Sequence, residues 1–160
     1  MTSIRPKKCI LLLSALDYLA KIPYSSGIMS EMLRGTILAK NIEEKVASRV
    51  EQLGKPLGLA VVLVGDDSAS HLYVSLKEAA AKRAGIYVEK IIFDTEVAQE
   101  EVISKIESLN ERQDIHGILV QLPLPDHLDE DEVIKAIDIQ KDVDGFRREN
   151  LDCLIAEEPC

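Results

Sequence analysis

The chain has 160 residues, 46% of them hydrophobic and 29% charged, which suits one globular domain with a sizeable core. A formal net charge of −9 argues against a nucleic-acid backbone or an anionic membrane as the main partner, and leaves small anionic ligands open. Three scattered cysteines, Cys9, Cys153 and Cys160, have no CxxC spacing and read as reduced cytosolic thiols, with no metal site.

Residues 1–30 stand apart from the rest. Arg5, Lys7 and Lys8 precede CILLLSALDYLA, the outline of a short signal sequence, but Asp17 interrupts the apolar run and no small-x-small cleavage site follows. An extra helix, or a true start at Met29 or Met32, are the other readings. The regular pattern begins there and favours the late start. The expected organisation is an N-terminal extension over 1–30 and one domain over 31–160.

From Leu33 onward the elements alternate. Ile42, Val46, Val50 and Leu53 recur at helical spacing, and Gly54 and Pro56 end that helix. Leu59 to Val64 is continuously apolar, as a strand covered on both faces should be. Gly65 to Ser68 makes a turn, and Asp66, Asp67 or Ser68 can cap the helix expected over Ala69 to Ala84. Its natural core stripe is Leu72, Leu76 and Ala80. Tyr87 to Phe93 reads as a second strand, Ala98 to Leu109 as a helix, Gly117 to Val120 as a third strand and Asp131 to Ile137 as another helix. This order predicts an α/β fold: a three-layer α/β/α domain on a small parallel sheet of about four strands.

Three stretches carry chemistry. Open parallel sheets bind ligands beyond the carboxyl ends of their strands, and Gln121 stands at such an end. Its amide offers donors and an acceptor, and Pro123 and Pro125 stiffen the exit loop. A strand-capping glutamine is the plainer alternative. In the helix after the first strand, Ser70, Tyr73 and Lys77 share one face. Such a Tyr–Lys spacing is commonly a surface pair. Read functionally, Tyr73 is a ring to stack on a planar ligand, and Lys77 is a proton-transfer group. In KDVDGF, Asp142 and Asp144 alternate before Gly145. They suit a polar turn, a divalent-metal DxD site, or recognition of an N–H-rich heterocycle edge. His71, His116 and His127 are taken as structural or surface residues.

Together, YVSLK after VGDDSAS, then GILVQLPLP, then KDVDGF strongly resemble the N-terminal catalytic domain of the methylenetetrahydrofolate dehydrogenase/methenyltetrahydrofolate cyclohydrolase family, from about Met32 to the end. The resemblance implies a cytoplasmic enzyme of one-carbon metabolism. It would oxidise 5,10-methylenetetrahydrofolate with NADP or NAD and hydrolyse the methenyl product to 10-formyltetrahydrofolate. By the same resemblance Lys77 stands in for the catalytic lysine, with Gln121 as its hydrogen-bonded companion. Tyr73 would stack on the folate, Asp144 would hold the pterin N–H groups with Asp142 close by, and Ser70 would line the pocket. No metal is required. The implied partners are the tetrahydrofolate substrate and, at full length, a second copy of the chain, with neither nucleic acid nor membrane.

The departures are specific. The family's PCTP-like linker and its Rossmann domain would follow Cys160, and no GxGxxG loop occurs in the chain. The expectation is that this chain by itself binds no nicotinamide cofactor and has no dehydrogenase activity. Asp152 and Glu158 stand where the family favours glycine, and Arg34 where it favours aspartate. The glycine changes raise the expectation of poor packing over the last ten residues. Two rivals are a non-enzymatic or partner-dependent folate-binding half-enzyme, and a metal-dependent transferase using Asp142 and Asp144 with Asp66 or Asp67.

Overall fold

The structure is a computed structural model, and it describes residues 35–157. The readings made for residues 1–34 and for Glu158 to Cys160 lie outside the described residues. The elements in chain order are α1 (Gly35–Leu53), β1 (Leu57–Val64), α2 (Ser68–Arg83), β2 (Ile86–Phe93), α3 (Gln99–Asn110), β3 (Gly117–Val120), α4 (Glu130–Lys135) and α5 (Arg148–Ile155).

The sheet is parallel, in the order β2-β1-β3. It has three strands where about four were expected. At the outer edge of β3, a single parallel bridge joins Ile118 to Asp142, so the KDVDG segment lies where a fourth strand would. β1 is central, and Ala60, Val61 and Val62 are wholly buried, as the unbroken apolar run requires.

Side-chain parity divides the core. Ala60, Val62, Val64, Ile118 and Val120 face α3 and α4, meeting Val102, Ile106, Leu109, Val133 and Ile137. Val61, Leu63 and Leu119 face the other way, onto Val74 of α2. Each fully buried Val or Leu contributes about 1.5–3 kcal/mol, so the α3/α4 layer is the heavier side. The expected three layers are present.

Two elements differ from expectation. The stripe of α2 turned to the sheet is Ser70, Val74 and Ala81, whereas Leu72 and Leu76 are 57% and 58% exposed. The inward face carries small and polar groups, which let the helix lie close to the sheet, and the leucines are turned out. In α1 the predicted stripe is only half-covered at Val46 and Val50, and no residue is buried. The helix leans on the end of α2 through the Glu43–Arg83 ion pair. The last ten residues were expected to pack poorly; Arg148–Ile155 form α5, yet from Leu151 to Glu157 every residue but Cys153 is exposed, Ile155 at 74%. Asp152 is an ordinary exposed helical residue there, and Asn150 is the one buried residue of that helix.

The third strand and the KDVDG segment touch closely. A Cβ on Gly117 would fall on Val143 Cγ1. Gly117→Ala should therefore cost about 1–3 kcal/mol by overpacking. Thermal melts will show the loss, and adding Val143→Ala should recover most of it.

Candidate functional site

The site is assembled by the same parity. Leu119 faces α2, so Gln121, two residues on, faces α2 as well. The Gln121 N–H donates to Val62 O at 2.8 Å, extending the ladder one residue beyond β3. On α2, Lys77 lies three residues after the inward-facing Val74. The two side chains meet: Lys77 Nζ donates to Gln121 Oε1 at 3.0 Å. The other end of the amide is fixed, because Gln121 Nε2 donates to Leu122 O at 2.6 Å. Gln121 is 8% exposed, so its oxygen is held rigidly toward the lysine while Lys77 stays open to solvent.

Helix α2 is itself well anchored. Asp67 caps it, its Oδ2 accepting from Ser70 N at 2.7 Å, and Ser70's amide and hydroxyl hold the Asp67 carboxyl below its ordinary range. Farther along, Glu78 is clamped by Lys82 and by Lys90 of β2, each at 2.7 Å. Those two ammonium groups bring the Glu78 carboxyl down to about 2. The residue next to Lys77 thus ties the helix to the sheet.

Asp144 comes close enough to feel Lys77. Burial pushes its carboxyl above the ordinary aspartate value, the Lys77 ammonium opposes that rise, and the Asp142 charge adds to it. Tyr73, one turn before Lys77, is 55% exposed, with its ring available at the helix surface. Ser70 is 2% exposed and engaged with Asp67, so it sits behind the site, in the cap. Lys77 and Gln121 are therefore brought into contact, Asp144 lies within reach of the Lys77 charge, and Tyr73 stands exposed one turn earlier on α2.

Asp142 is occupied differently. Its Oδ1 accepts from Gly145 N at 3.0 Å, and its Oδ2 from Arg147 N and Asn150 Nδ2, each at 2.9 Å. Among the described residues, no three His, Cys, Asp or Glu side chains gather as a metal-holding group. The histidines bond to backbone atoms: His71 to Gly65 O, His116 to Gly58 N and His127 to Val97 O. Sequence reasoning did not single out Asn150 or Arg147. Their one signal was proximity, both falling within eight residues of Asp142.

Fold and site define a parallel-sheet α/β domain in which a lysine and a glutamine meet past the carboxyl end of β3. Comparison with known proteins makes this specific. Residues 33–144 match the model of the tetrahydrofolate dehydrogenase/cyclohydrolase catalytic domain. The bifunctional protein FolD of Methanosarcina barkeri is 50% identical over 129 residues, covering 78% of this chain and 45% of that protein. FolD of Bordetella petrii is 46% identical over 143 residues, covering 88% and 48%. Among solved structures, a 5,10-methylenetetrahydrofolate dehydrogenase from the silkworm Bombyx mori superposes with a TM-score of 0.78 at 40% identity, over 82% of this chain and 47% of the other. The Trypanosoma brucei dehydrogenase–cyclohydrolase, solved with NADP and an inhibitor, gives 0.74 at 31% identity, over 78% and 43%. The chain belongs to the tetrahydrofolate dehydrogenase/cyclohydrolase family, matching its catalytic domain. It spans about half the length of the curated relatives it matches.

The raised Asp144 carboxyl has a consequence for stability. A folded-state pKa above the unfolded value of about 3.9 means that the ionised group is penalised by folding at neutral pH. The penalty is absent below the unfolded value, where both states are protonated, and grows as pH rises through the folded value. Asp144→Asn should therefore melt higher than wild type at pH 7, with the gap closing as the pH falls toward about 4 and absent below it.

Proposed function

We propose that this chain is the folate-binding catalytic domain of an enzyme that oxidises 5,10-methylenetetrahydrofolate and hydrolyses 5,10-methenyltetrahydrofolate to 10-formyltetrahydrofolate. The observation that carries this reading is the Lys77 Nζ–Gln121 Oε1 hydrogen bond beside a carboxylate raised by burial. Lys77 is the proton-transfer group. Gln121 is its positioning residue, holding the nitrogen while leaving it accessible.

The hydrolysis needs little else. Water forms a bond from oxygen to the one-carbon bridge, the bond from that carbon to N5 breaks, and N5 ends with one of water's protons. The other proton leaves, and a base at the bridge speeds the transfers. Tyr73 supplies a face for the flat pterin, and the Asp144 carboxylate accepts from its amino and ring N–H groups. Ser70 contributes by fixing the first turn of α2, which carries Tyr73 and Lys77. The oxidation requires NADP or NAD. No glycine-rich GxGxxG loop occurs in these 160 residues, so the purified 160-residue chain should give no NADPH from methylenetetrahydrofolate. We place the protein in the cytoplasm, in keeping with its unpatterned cysteines. No described helix is long and apolar enough to cross a membrane. The full-length enzyme is read as a homodimer.

The half-enzyme reading, a folate binder without chemistry, is separated from ours by Lys77, which binding alone does not need. Lys77→Met should abolish hydrolysis of methenyltetrahydrofolate, followed by loss of its absorbance, while tetrahydrofolate still binds. Unchanged hydrolysis would remove Lys77 from the mechanism. Tyr73→Ala should weaken tetrahydrofolate binding by about 1–3 kcal/mol, the usual range for a lost aromatic stack on a heterocycle, measured by calorimetry.

A further inference from the structure

The two aspartates of KDVDG face different tasks. Asp142's three accepted hydrogen bonds come from the stretch just after it: Gly145 N and Arg147 N of its loop, and Asn150 Nδ2 in the first turn of α5. A carboxylate has about four acceptor positions, so a ligand would find this one nearly full. The ring closed by these bonds contains Asp144.

The flanks of that ring are anchored independently. Lys141 O accepts from Ile118 N at 2.7 Å, joining the segment to β3. Lys141 Nζ donates to the carbonyls of Leu109, Asn110 and Arg112 at 3.0, 2.6 and 2.7 Å, where a cation suits the end of α3. On the far side, Arg147 Nη1 donates to Lys135 O and Ile137 O at 2.9 and 2.6 Å. Asn150 Nδ2 adds Ile139 O at 3.1 Å. The loop bearing Asp144 is thus held from both ends, and Asp142 is the knot between them.

We propose that Asp142 is a positioning residue: its carboxylate, with Asn150 as principal side-chain partner, closes the loop that holds Asp144 toward Lys77, and it does not itself bind the folate. This rests on the reading of Lys77, Gln121 and Asp144 as the folate site. It predicts a shared phenotype. Asp142→Asn keeps one acceptor oxygen but turns an amide NH₂ toward groups that are themselves donors. Asn150→Ala removes one donor to the same oxygen without approaching the site. Because both act on one loop, their effects should not add.

The experiment uses the full 160-residue chain with two readouts. The first is tetrahydrofolate affinity by calorimetry. Each variant should bind about tenfold more weakly than wild type, the size of one lost charge-assisted hydrogen bond, and the double variant no more weakly than the worse single. The second needs no ligand: the ¹³C resonance of the Asp144 carboxyl and the exchange rates of the Gly145 and Arg147 amides. In both variants the resonance should shift and the Arg147 amide should exchange faster, with the core amides of β1 unchanged. Weaker binding in Asp142→Asn alone, with loop signals as in wild type, would make Asp142 a ligand group and overturn the proposal. So would loop signals untouched in both variants. If wild type itself fails to bind tetrahydrofolate, the folate reading falls, and the ligand-free signals still decide whether Asp142 orders Asp144. Should Asp142→Asn not fold, Asn150→Ala decides by the same criteria.

Discussion

The hydrogen bond from Lys77 Nζ to Gln121 Oε1 joins two layers of the molecule just past the carboxyl end of β3. Its geometry depends on almost everything beneath it. The parity of β3 aims Gln121 at α2, and the ladder bond to Val62 O keeps that parity one residue past the last strand position. The cap at Asp67 and the Glu78 clamp set the height of α2. A shift of one residue in β3 would turn the amide to the opposite face, away from the lysine.

This arrangement explains why the inner face of α2 is poor in large apolar groups. Ser70, Val74 and Ala81 bury less area than Leu72 and Leu76 would. The layer is correspondingly lighter than the α3/α4 side, where Ile106, Leu109 and Ile137 pack against the sheet. Stability is concentrated on one face and the polar site on the other. A lysine needs that lighter face: a packed stripe of leucines would leave it either expelled or buried without solvent.

The regular elements were legible in the sequence because their patterns are long and simple. The buried strand Leu59–Val64, the helix after it and the strand Gly117–Val120 all appear within two residues of the expected bounds. Lys77, Gln121, Tyr73 and Asp144 were legible as single residues beyond strand ends or on one helix face, and motif resemblance tied them together. What hydropathy misread was orientation. Leu72 and Leu76 satisfied a core pattern that the helix does not use, since burial is decided by how the helix rolls on the sheet. Missed altogether was the interior of the KDVDG loop. Two aspartates two residues apart look alike in a sequence, yet one accepts three hydrogen bonds from its own loop and the start of α5, and the other is raised by burial within reach of the Lys77 charge. That distinction depends on Asn150 and Arg147, which no periodic pattern connects to Asp142. The short helix α5 was likewise overlooked, because Asp152 at a position where the family favours glycine suggested disruption where ordinary helical backbone suffices.

The central claim is that Gln121 acts by holding the amine of Lys77. The direct test is the rate of methenyltetrahydrofolate hydrolysis in Gln121→Met, a substitution of similar size that cannot offer the amide oxygen. The account predicts a rate at least about a hundredfold below wild type, the lower end of what a well-placed acid–base group supplies, with tetrahydrofolate affinity and melting temperature close to wild type. A hydrolysis rate equal to wild type at the same melting temperature would contradict it, and Lys77 would then be working without its companion.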